Sequence, residues 1–261
     1  MQTITSASNE KIKRLVQLSS KSSLRKEEGV FIAEGTKLVR EAPVDLIREI
    51  YISETCLERD KNAVPEDFDD KSTVVPDHIF EKISTMKSPQ GMLAVIGALS
   101  YEKEDITKGE PLILVLEDIQ DPGNVGTIFR TAEAAGVTGI VLSAKCADPL
   151  SPKVVRSTMG AIFRMPFIVA EDVSAVVREF EADGISCYAA RLENGKPYYE
   201  CDLKGKCAII IGNEGNGLSA EVNEAASNGI YIPMNGKTES LNAAISASIL
   251  SYEAGRQRGI I

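Results

Sequence analysis

The sequence predicts an α/β protein in which a mostly parallel sheet, with helices on both faces, follows a smaller N-terminal α/β domain. In the second half, short apolar runs alternate with helical patterns, which is typical of a parallel sheet covered on both faces. A polar, charged segment at 100–110 precedes this half and is followed by a proline, as expected of a linker. We therefore predict an N-terminal domain over 1–99, a linker over 100–110 and a C-terminal domain over 111–261.

The first hundred residues contain the elements of a small α/β unit. Ser8 and Asn9 are suited to begin a helix, and the strand-like runs are short and apolar. Residues 58–71 are charged and contain a proline, which predicts a loop. In order, we expect a helix over 11–18, a strand over 30–32, a helix over 35–41, a strand over 47–52, the loop, a helix over 76–84 and a strand over 92–99.

The second part repeats a strand followed by a helix. We expect strands over 112–116, 139–142, 185–190, 208–211 and 230–233, and helices over 124–135, 152–159, 172–182, 219–226 and 240–257. In open α/β sheets, ligands bind beyond the carboxyl ends of the strands. The polar turns after the last two strands are therefore expected to form one pocket, bordered by the unpaired amides of two helix starts.

Composition narrows the class of protein. The apolar fraction of 43% is that of an ordinary globular protein. There is no apolar run near the ~18 residues of a membrane span, nor the apolar stretch of a signal peptide. Five cysteines without a C-x-x-C pair favour a reducing compartment, so we expect a cytoplasmic protein. The single histidine, His78, is far from any cysteine pair, and no metal site is predicted.

The charge distribution is uneven. The net charge is −9, yet residues 1–40 hold eight Lys or Arg against four Glu. A basic patch on an acidic protein can still neutralise phosphates locally. A solvated helix face explains the same charges, and charge alone leaves both interpretations open.

The turn after the first strand of the second part places an amide and a guanidinium together. Asn124 can begin a helix after the sharp turn Pro122-Gly123. The apolar residues of that helix share one face by their spacing. Asn124, Thr127 and Arg130 then fall on the opposite side. The alternative is a capping asparagine and a solvent-exposed arginine.

Common nucleotide and hydrolase signatures do not fit. The glycines at 212, 215 and 217 run in the reverse order from G-x-G-x-x-G. Gly236-Lys237-Thr238 resembles the end of a P-loop, but Tyr231 stands where its first glycine belongs. There is no G-x-S-x-G serine.

Three stretches follow one another in the second part of the chain: Asn124–Arg130, Ile211–Leu218 and the pair Ile232–Met234 with Glu239–Asn242. In this order they are similar to the three motifs of the SpoU (TrmH-type) RNA ribose 2′-O-methyltransferases of the SPOUT superfamily. Residues 151–161 resemble the family's segment between the first two motifs. The first hundred residues resemble the RNA substrate-binding domain of members that modify ribosomal RNA. One departure is Ala243-Ala244, where Val-Ser is common.

This resemblance implies a fold, an activity and an assembly. It implies a deep trefoil knot at the C-terminus, a topology that is rare in general. It implies methylation of a ribose 2′-hydroxyl in RNA, most of all ribosomal RNA, with S-adenosylmethionine as cofactor. It also implies a homodimer with the active site near the interface. The C-terminal stripe Leu241, Ile245, Ile249 and Tyr252 is consistent with such packing, although an intramolecular core explains it equally well.

Alternatives remain for the function. The substrate could be transfer RNA, or the protein could be a catalytically silent RNA-binding relative. A small-molecule methyltransferase of the Rossmann type is a third alternative, but the turn Gly123–Gly126 fits its glycine-rich loop poorly.

By motif matching, the resemblance also implies site residues. Those expected at the cofactor are Gly212, Asn213, Ile232, Met234, Leu241 and Asn242. Those expected in catalysis are Asn124, Arg130, Glu214, Ser240 and Asn242. A guanidinium is a poor base at neutral pH, so our hypothesis is that Arg130 holds the target phosphate and stabilises the developing alkoxide. Glu214 is expected to orient Arg130 or the turn amides. Gly212 as a plain strand-end turn residue is the simpler alternative.

For RNA, Lys153 and Arg156 lie three apart on one short helix and are expected to grip a phosphate near the catalytic turn. The N-terminal cations would hold the rest of the substrate without reading its sequence. The full set predicted to bind RNA is Lys11, Lys13, Arg14, Arg25, Lys26, Lys153 and Arg156.

Overall fold

The computed structural model describes residues 1–60, 63–64, 66–238 and 240–261. Their contacts divide the chain into two compact units, one of residues 1–99 with 148–163 and one of residues 100–147 with 164–261. The strands are β1 Gln2–Thr3, β2 Val30–Glu34, β3 Ile47–Ser53, β4 Ser72–Val75, β5 Met92–Gly97, β6 Leu112–Leu116, β7 Gly139–Ser143, β8 Phe167–Ala170, β9 Ser186–Ala190, β10 Gly195–Pro197, β11 Cys207–Ile211 and β12 Asn228–Tyr231. The helices are α1 Glu10–Ser20, α2 Ser22–Glu28, α3 Thr36–Glu41, α4 Glu54–Arg59, α5 Asp77–Ile83, α6 Lys103–Thr107, α7 Pro122–Ala134, α8 Pro152–Ser157, α9 Val173–Ala182, α10 Ala220–Ala225 and α11 Ala243–Gln257.

The first unit is a five-stranded mixed sheet with helices packed on it. Its strand order is β1-β4-β3-β5-β2, with β5 antiparallel to both of its neighbours. Helix α1 begins at Asn9, whose side chain accepts a hydrogen bond from the Lys11 amide. Its Ile12, Leu15 and Leu18 are buried in the core with the strands and α5. Helix α8 packs on β2.

The second unit is a seven-stranded sheet in the order β10-β12-β9-β11-β6-β7-β8, and every neighbouring pair is parallel. The central strands β6, β7 and β11 are buried along their whole length, as expected when helices cover both faces. Helix α9 packs on one face through Val177 and Phe180. On the other face the Phe129 ring of α7 packs edge-on against Phe167, with centroids 5.4 Å apart. The predicted parallel α/β sheet is confirmed.

The order of the strands fixes where a ligand site can form. From β6 the chain moves to β7 on one side, whereas from β11 it moves to β12 on the other. Strands β6 and β11 are neighbours, with Leu116 opposite Ile211. The point where the connections diverge therefore lies between them, and a ligand site is expected beside it, beyond the carboxyl ends of the strands.

Several elements differ from the expectation. Residues 100–110, expected as a linker, include α6, whose Ile106 is fully buried in the core of the second unit. Residues 148–163, expected in the C-terminal domain, have their contacts with the first unit. The expected loop at 58–71 overlaps the end of α4 and a 3₁₀ turn over Glu66–Lys71, and its residues 61, 62 and 65 lie outside the described part. The domain boundaries themselves stay a prediction.

The elements that the sequence did not predict are short or lie at sheet edges. They are β1, β4, β8, β10, α2, α4 and α6. Strands of two to four residues carry too little periodicity to be recognised. None of the helices in the described residues is both long and apolar enough to cross a membrane.

Candidate active site

A cavity of about 460 Å³ opens in the second unit at the carboxyl ends of β9, β11 and β12. Most of its wall comes from the loop after β11, the segment after β12 and the first turns of α11. Its lining residues are Ala190, Arg191, Leu192, Ile211, Gly212, Asn213, Glu214, Gly215, Asn216, Gly217, Ile230, Tyr231, Ile232, Met234, Ser240, Leu241, Ala243, Ser246 and Leu250. The site therefore lies where the topology of an open parallel sheet places ligands.

The loop after β11 is a tight hairpin. The amide of Asn213 donates to the Gly217 carbonyl and the amide of Gly217 donates to the Asn213 carbonyl, both at 3.0 Å. Gly217 has φ +67°, which favours glycine. A Cβ on Gly212 would lie 2.4 Å from the Gly217 carbonyl carbon. Glycine is thus required at 212 because the two backbone segments approach closely, which explains why the motif has glycine there.

The Asn213 side chain joins this hairpin to the loop after β6. Its Oδ1 accepts from the amides of Gly215 and Asn216, at 2.9 and 3.1 Å. Its Nδ2 donates to the Asp118 carbonyl at 2.8 Å. Asp118 has φ +57°, and the Ser143 hydroxyl both accepts from its amide and donates to its carboxylate. The loops of two motifs are therefore held at a fixed separation.

Asn124 lies between Glu214 and Asn242. Its Nδ2 donates to the Glu214 carboxylate, and its Oδ1 accepts from Asn242 Nδ2 at 3.0 Å. Asn242 is the N-cap of α11 and accepts from the Ala244 and Ile245 amides at 2.9 and 3.3 Å. A directed series of hydrogen bonds thus runs from a helix start to a carboxylate, and it contains one residue from each of the three motifs.

Arg130 is exposed on α7, on the side opposite the buried Val125, Ile128 and Phe129. This is the orientation that the spacing predicts. Asp121, rather than Asn124, caps α7, because its carboxylate accepts from the Asn124 amide at 2.9 Å. Arg130 does not line the cavity, and within the described part of the chain its guanidinium has no hydrogen bond or ion pair. Its five donors remain available to a ligand.

The structure brings most of the predicted site residues together. Gly212, Asn213, Ile232, Met234 and Leu241 line the cavity, as do Glu214 and Ser240. Asn124 reaches the cavity through its bond to Glu214, and Asn242 is joined to it through its bond to Asn124. Glu239, part of the third motif, lies outside the described residues.

Sequence reasoning missed one wall of the cavity, which the end of β9 forms with Ala190, Arg191 and Leu192. The Arg191 guanidinium donates to the backbone carbonyls of Asn223 and Ala226. The sequence did offer one way to predict this wall: β9 also ends at this edge of the sheet, so the residues after it are expected in the same crevice. No motif marks them.

The predicted RNA-binding cations divide into two groups. Lys11, Lys13, Lys26 and Lys153 are exposed. Arg14 is held between the carboxylates of Glu28 and Glu49, and the bond to Glu28 contributes most to raising the pKa of its guanidinium.

Arg25 is a correction to the predicted set. It is only 5% exposed, and it donates to the Leu18 carbonyl at 2.7 Å and pairs with Asp148. Its guanidinium holds the first unit together and does not reach the surface. The reason is its place on α2, a helix that the sequence did not predict, whose inner face points to the core.

Lys153 and Arg156 are on α8, which belongs to the first unit. Arg156 donates to the Thr85 hydroxyl at 3.1 Å. The expectation that they grip a phosphate beside the catalytic turn stays a prediction.

Metal and thiol chemistry have little support in this site. In the described ranges no cluster of three His, Cys, Asp or Glu side chains could hold a metal ion. All five cysteines are free. Burial raises the pKa of each thiol, which lowers its reactivity.

The lining fits the nucleoside cofactor that the motifs imply. The volume falls within the range of small-molecule sites, and the wall offers backbone groups of the 212–217 hairpin next to the apolar Ile232, Met234 and Leu241. Glu214 and Arg191 supply one carboxylate and one guanidinium. Such a wall suits a ligand with an aromatic base, a sulfonium and a zwitterionic amino acid end.

Comparisons with known proteins agree with this site. The model of the SpoU rRNA methylase family matches residues 111–252, and an MRM3-like substrate-binding domain matches residues 9–94. The 23S rRNA (guanosine(2553)-2′-O)-methyltransferase RlmP of Bacillus subtilis is 34% identical over 97% of this chain and 98% of its own.

Solved structures of methyltransferases are also similar to this chain along nearly its whole length. An AdoMet-bound rRNA methyltransferase from Sinorhizobium meliloti has a TM-score of 0.86 and 31% identity, covering 98% of this chain and 97% of its own. The SpoU methyltransferase AviRb from Streptomyces viridochromogenes, in complex with AdoMet, has a TM-score of 0.81 and 25% identity, covering 96% and 98%. This chain belongs to the SpoU rRNA methylase family.

Proposed function

We propose that this protein transfers a methyl group from S-adenosylmethionine to a ribose 2′-hydroxyl of ribosomal RNA. The observation that carries the proposal is the convergence of three sequence motifs on one cavity, where Asn124, Glu214 and Asn242 are joined by hydrogen bonds. The family match and the relatives that act on ribosomal RNA support the substrate class.

Gly212, Asn213, Ile232, Met234, Leu241 and Asn242 would hold the cofactor. The bound cofactor supplies an electrophilic methyl group on its sulfonium. The hairpin amides and the apolar side chains orient the nucleoside, and a preformed wall lowers the entropic cost of an in-line approach. The hydrogen bonds of Asn213 keep that wall in place before the ligand arrives.

Arg130 would act on the RNA. Transfer of a methyl group to the 2′-oxygen would require the hydroxyl proton to leave, while the cofactor sulfur would keep the electron pair of the broken C–S bond. Negative charge would develop on the oxygen where the proton leaves ahead of C–O bond formation. A guanidinium is too weak a base to take that proton, but it can pair with the target phosphate and stabilise the developing alkoxide. In this proposal the proton passes to solvent.

Glu214 and Asn242 would hold the reacting groups in position and would not themselves react. Ser240 would complete the cavity wall on the side of the RNA substrate. The hydrogen bond from Asn124 occupies one oxygen of the Glu214 carboxylate. Its second oxygen remains able to orient Arg130 or a hairpin amide. The start of α11 fixes the direction of the whole series, because Asn242 Oδ1 accepts from two of its amides.

We also propose a homodimer and a C-terminal trefoil knot. On α11, Ile245 is 51% exposed and Tyr252 is 43% exposed, and α11 packs beside α7, the helix that carries Arg130. An exposed apolar stripe supports a protein contact, and a second copy there would lie next to the active site. The family resemblance supports the knot and a separate substrate-binding domain. A cytoplasmic location fits a ribosomal RNA substrate.

The deciding experiment maps 2′-O-methyl groups in ribosomal RNA from cells with and without this protein. We expect one position to lose its methyl group in the deletion strain and regain it with the wild-type gene. Calorimetric titration with S-adenosylmethionine should give one site per chain. If the cofactor binds and only transfer RNA loses a methyl group, the transfer RNA alternative is correct. If no cofactor binds, the protein is the silent relative.

A further inference from the structure

A small hollow of about 80 Å³ in the first unit lies between the start of α3, the loop 84–90 and helix α8. Its lining includes the apolar side chains of Leu38, Met86 and Met159 and the cations Lys37 and Arg156. The sequence motifs did not indicate it, because its three segments lie far apart along the chain. All of them belong to one compact unit.

The three segments are tied to each other by hydrogen bonds. The Thr36 amide at the start of α3 donates a hydrogen bond to Gln90 Oε1 in the loop, at 3.2 Å. Glu34, which is 3% exposed, accepts from the Ser84 hydroxyl and from the amide and hydroxyl of Thr85. Arg156 of α8 donates to the same Thr85 hydroxyl. The hollow is therefore a built surface whose shape is set before any partner binds.

The charge at this surface is positive. Lys87 and Lys153 are exposed, and neither they nor Arg156 has an acidic partner among the residues described. Lys37 makes only a long ion pair with Glu41, at 3.9 Å. The two acids at the hollow are Glu34, which is buried and hydrogen-bonded, and Glu41. Set against the four cations, they leave an excess of two positive charges. On a chain of net charge −9, such a local excess attracts phosphates.

Met159 adds a second, independent observation. It has φ +52°, a conformation that is unfavourable for a bulky side chain, and its side chain is 49% exposed beside the hollow. An exposed thioether next to unpaired cations suits a nucleotide, because a base needs an apolar contact where its phosphate needs a cation.

We infer that α3, the loop 84–90 and α8 form the RNA-binding surface of the first unit. In this surface Lys37, Lys87, Lys153 and Arg156 contact phosphates, and Met86 and Met159 contact an unstacked base of a single-stranded or looped segment. The inference rests on the proposed function for its substrate class. It differs from a surface on α1 and α2, where Arg14 and Arg25 are already engaged by acidic side chains.

The test compares two triple variants that each remove three lysines from the full-length protein. One is K37A/K87A/K153A, which leaves Arg156 and its contact with Thr85 in place. The matched control is K196A/K204A/K206A, which removes three exposed lysines of the second unit that belong to no predicted site. RNA binding is measured by fluorescence anisotropy at several salt concentrations, with a single-stranded RNA and a duplex of the same length.

For the first variant we expect the slope of log K against log salt to become shallower by about 2, since each lost phosphate contact on a single strand is worth ~0.7. The control should keep the wild-type slope. M159A should weaken single-strand binding by about fivefold at an unchanged slope, because it removes a base contact and no charge, and should leave duplex binding unchanged.

Three results would overturn the inference: an unchanged slope in K37A/K87A/K153A, an equal loss in the control, or M159A weakening duplex and single strand alike. Thermal denaturation and cofactor titration show whether each variant is folded. Failure of the proposed function is a separate outcome. In that case the wild type methylates no RNA, while the slopes still report which surface holds the RNA.

Discussion

At the scale of single residues, the site depends on the direction of hydrogen bonds. Asn124 lies 90 positions from Glu214 and 118 from Asn242, yet its one amide group serves both. Because Asn242 Oδ1 caps α11, its Nδ2 must point to Asn124 Oδ1, and Asn124 Nδ2 must then point to Glu214. Each orientation follows from the previous one, so the positions of these donors and acceptors are fixed without a bound ligand.

Arg130→Lys tests the role of the planar guanidinium. We expect kcat to fall by about 100-fold, because an ammonium cannot hold a phosphate and the developing alkoxide by a bidentate fork. The affinity for S-adenosylmethionine should not change, since Arg130 does not line the cavity. Steady-state methylation and calorimetry measure the two quantities.

The matched control is Arg178→Lys, an exposed arginine on α9 of the same unit. It should keep wild-type turnover. Near-normal turnover in Arg130→Lys would show that charge alone is sufficient and would refute the bidentate role.

Tyr188 gives a prediction about pH. Burial raises its pKa to about 12, and its hydroxyl donates to the Asp202 carbonyl at 2.8 Å. The neutral form is therefore favoured in the folded state, so its contribution to stability is full below about pH 10, the pKa of an unfolded tyrosine, and is lost as pH rises towards 12.

We expect Tyr188→Phe to lower the free energy of unfolding by about 1 kcal/mol at pH 8, through the lost hydrogen bond. The difference from wild type should shrink between pH 10 and 12, as measured by urea denaturation. A difference that grows over this range would contradict the assignment.

At the scale of elements, the hairpin 212–217 forms much of the cavity wall. It folds onto itself at Gly212 and is attached through Asn213 to the loop after β6, which Ser143 fixes in turn. Three neighbouring strands, β11, β6 and β7, therefore contribute to one rigid rim. The wall is precise because its supports lie on buried strands rather than on other loops.

Gly212→Ala tests this rim. The new Cβ would lie 2.4 Å from backbone of Gly217, so the hairpin must open. We expect a loss of at least about tenfold in cofactor affinity and of about 1–3 kcal/mol in stability, the usual cost of overpacking. The control is Gly205→Ala, because Gly205 is exposed and nothing lies within 4 Å of the methyl group that the alanine would add. Unchanged cofactor binding in Gly212→Ala would mean that the hairpin does not shape the site.

At the scale of the whole molecule, the second unit is closed by its last helix. Helix α11 packs on α7 and β11, and Arg258, which follows it, donates to the carbonyls of Leu203, Glu110 and Pro111 at 2.9, 2.9 and 3.0 Å. Those carbonyls lie just before β6 or β11. One side chain therefore ties the end of the chain to the starts of the two central strands.

Arg258→Ala should lower the free energy of unfolding by about 2–4 kcal/mol, because several charge-assisted bonds to half-buried carbonyls are lost together. Arg258→Lys should recover only part of this, since a lysine cannot span three carbonyls. The control is Arg256→Ala, an exposed arginine that pairs with Glu253. Equal losses for Arg258→Ala and Arg256→Ala in urea denaturation would be the contrary result.

Much of the fold could be predicted because the central strands of the second unit are continuous apolar runs and its helices have a clear helical spacing of apolar residues. The runs at 112–116 and 208–211 are apolar throughout and proved to be the central strands β6 and β11. Edge elements such as β8 and β10 were missed, because exposure on one side and a length of three or four residues remove that pattern. The prediction that Arg25 binds RNA at the surface was wrong for a related reason, because charge alone does not show which face of a short helix points inward.

The sequence by itself determined the parallel α/β sheet, the three motifs and the residues expected at the cofactor, because periodicity and motif spacing are local properties of the chain. Tertiary structure alone decided three other points: the bond series through Asn124, the burial of Arg25, and the meeting of α3, the loop 84–90 and α8 around one hollow. Each of these joins segments far apart in the chain, and such contacts depend on packing in three dimensions that no local pattern encodes.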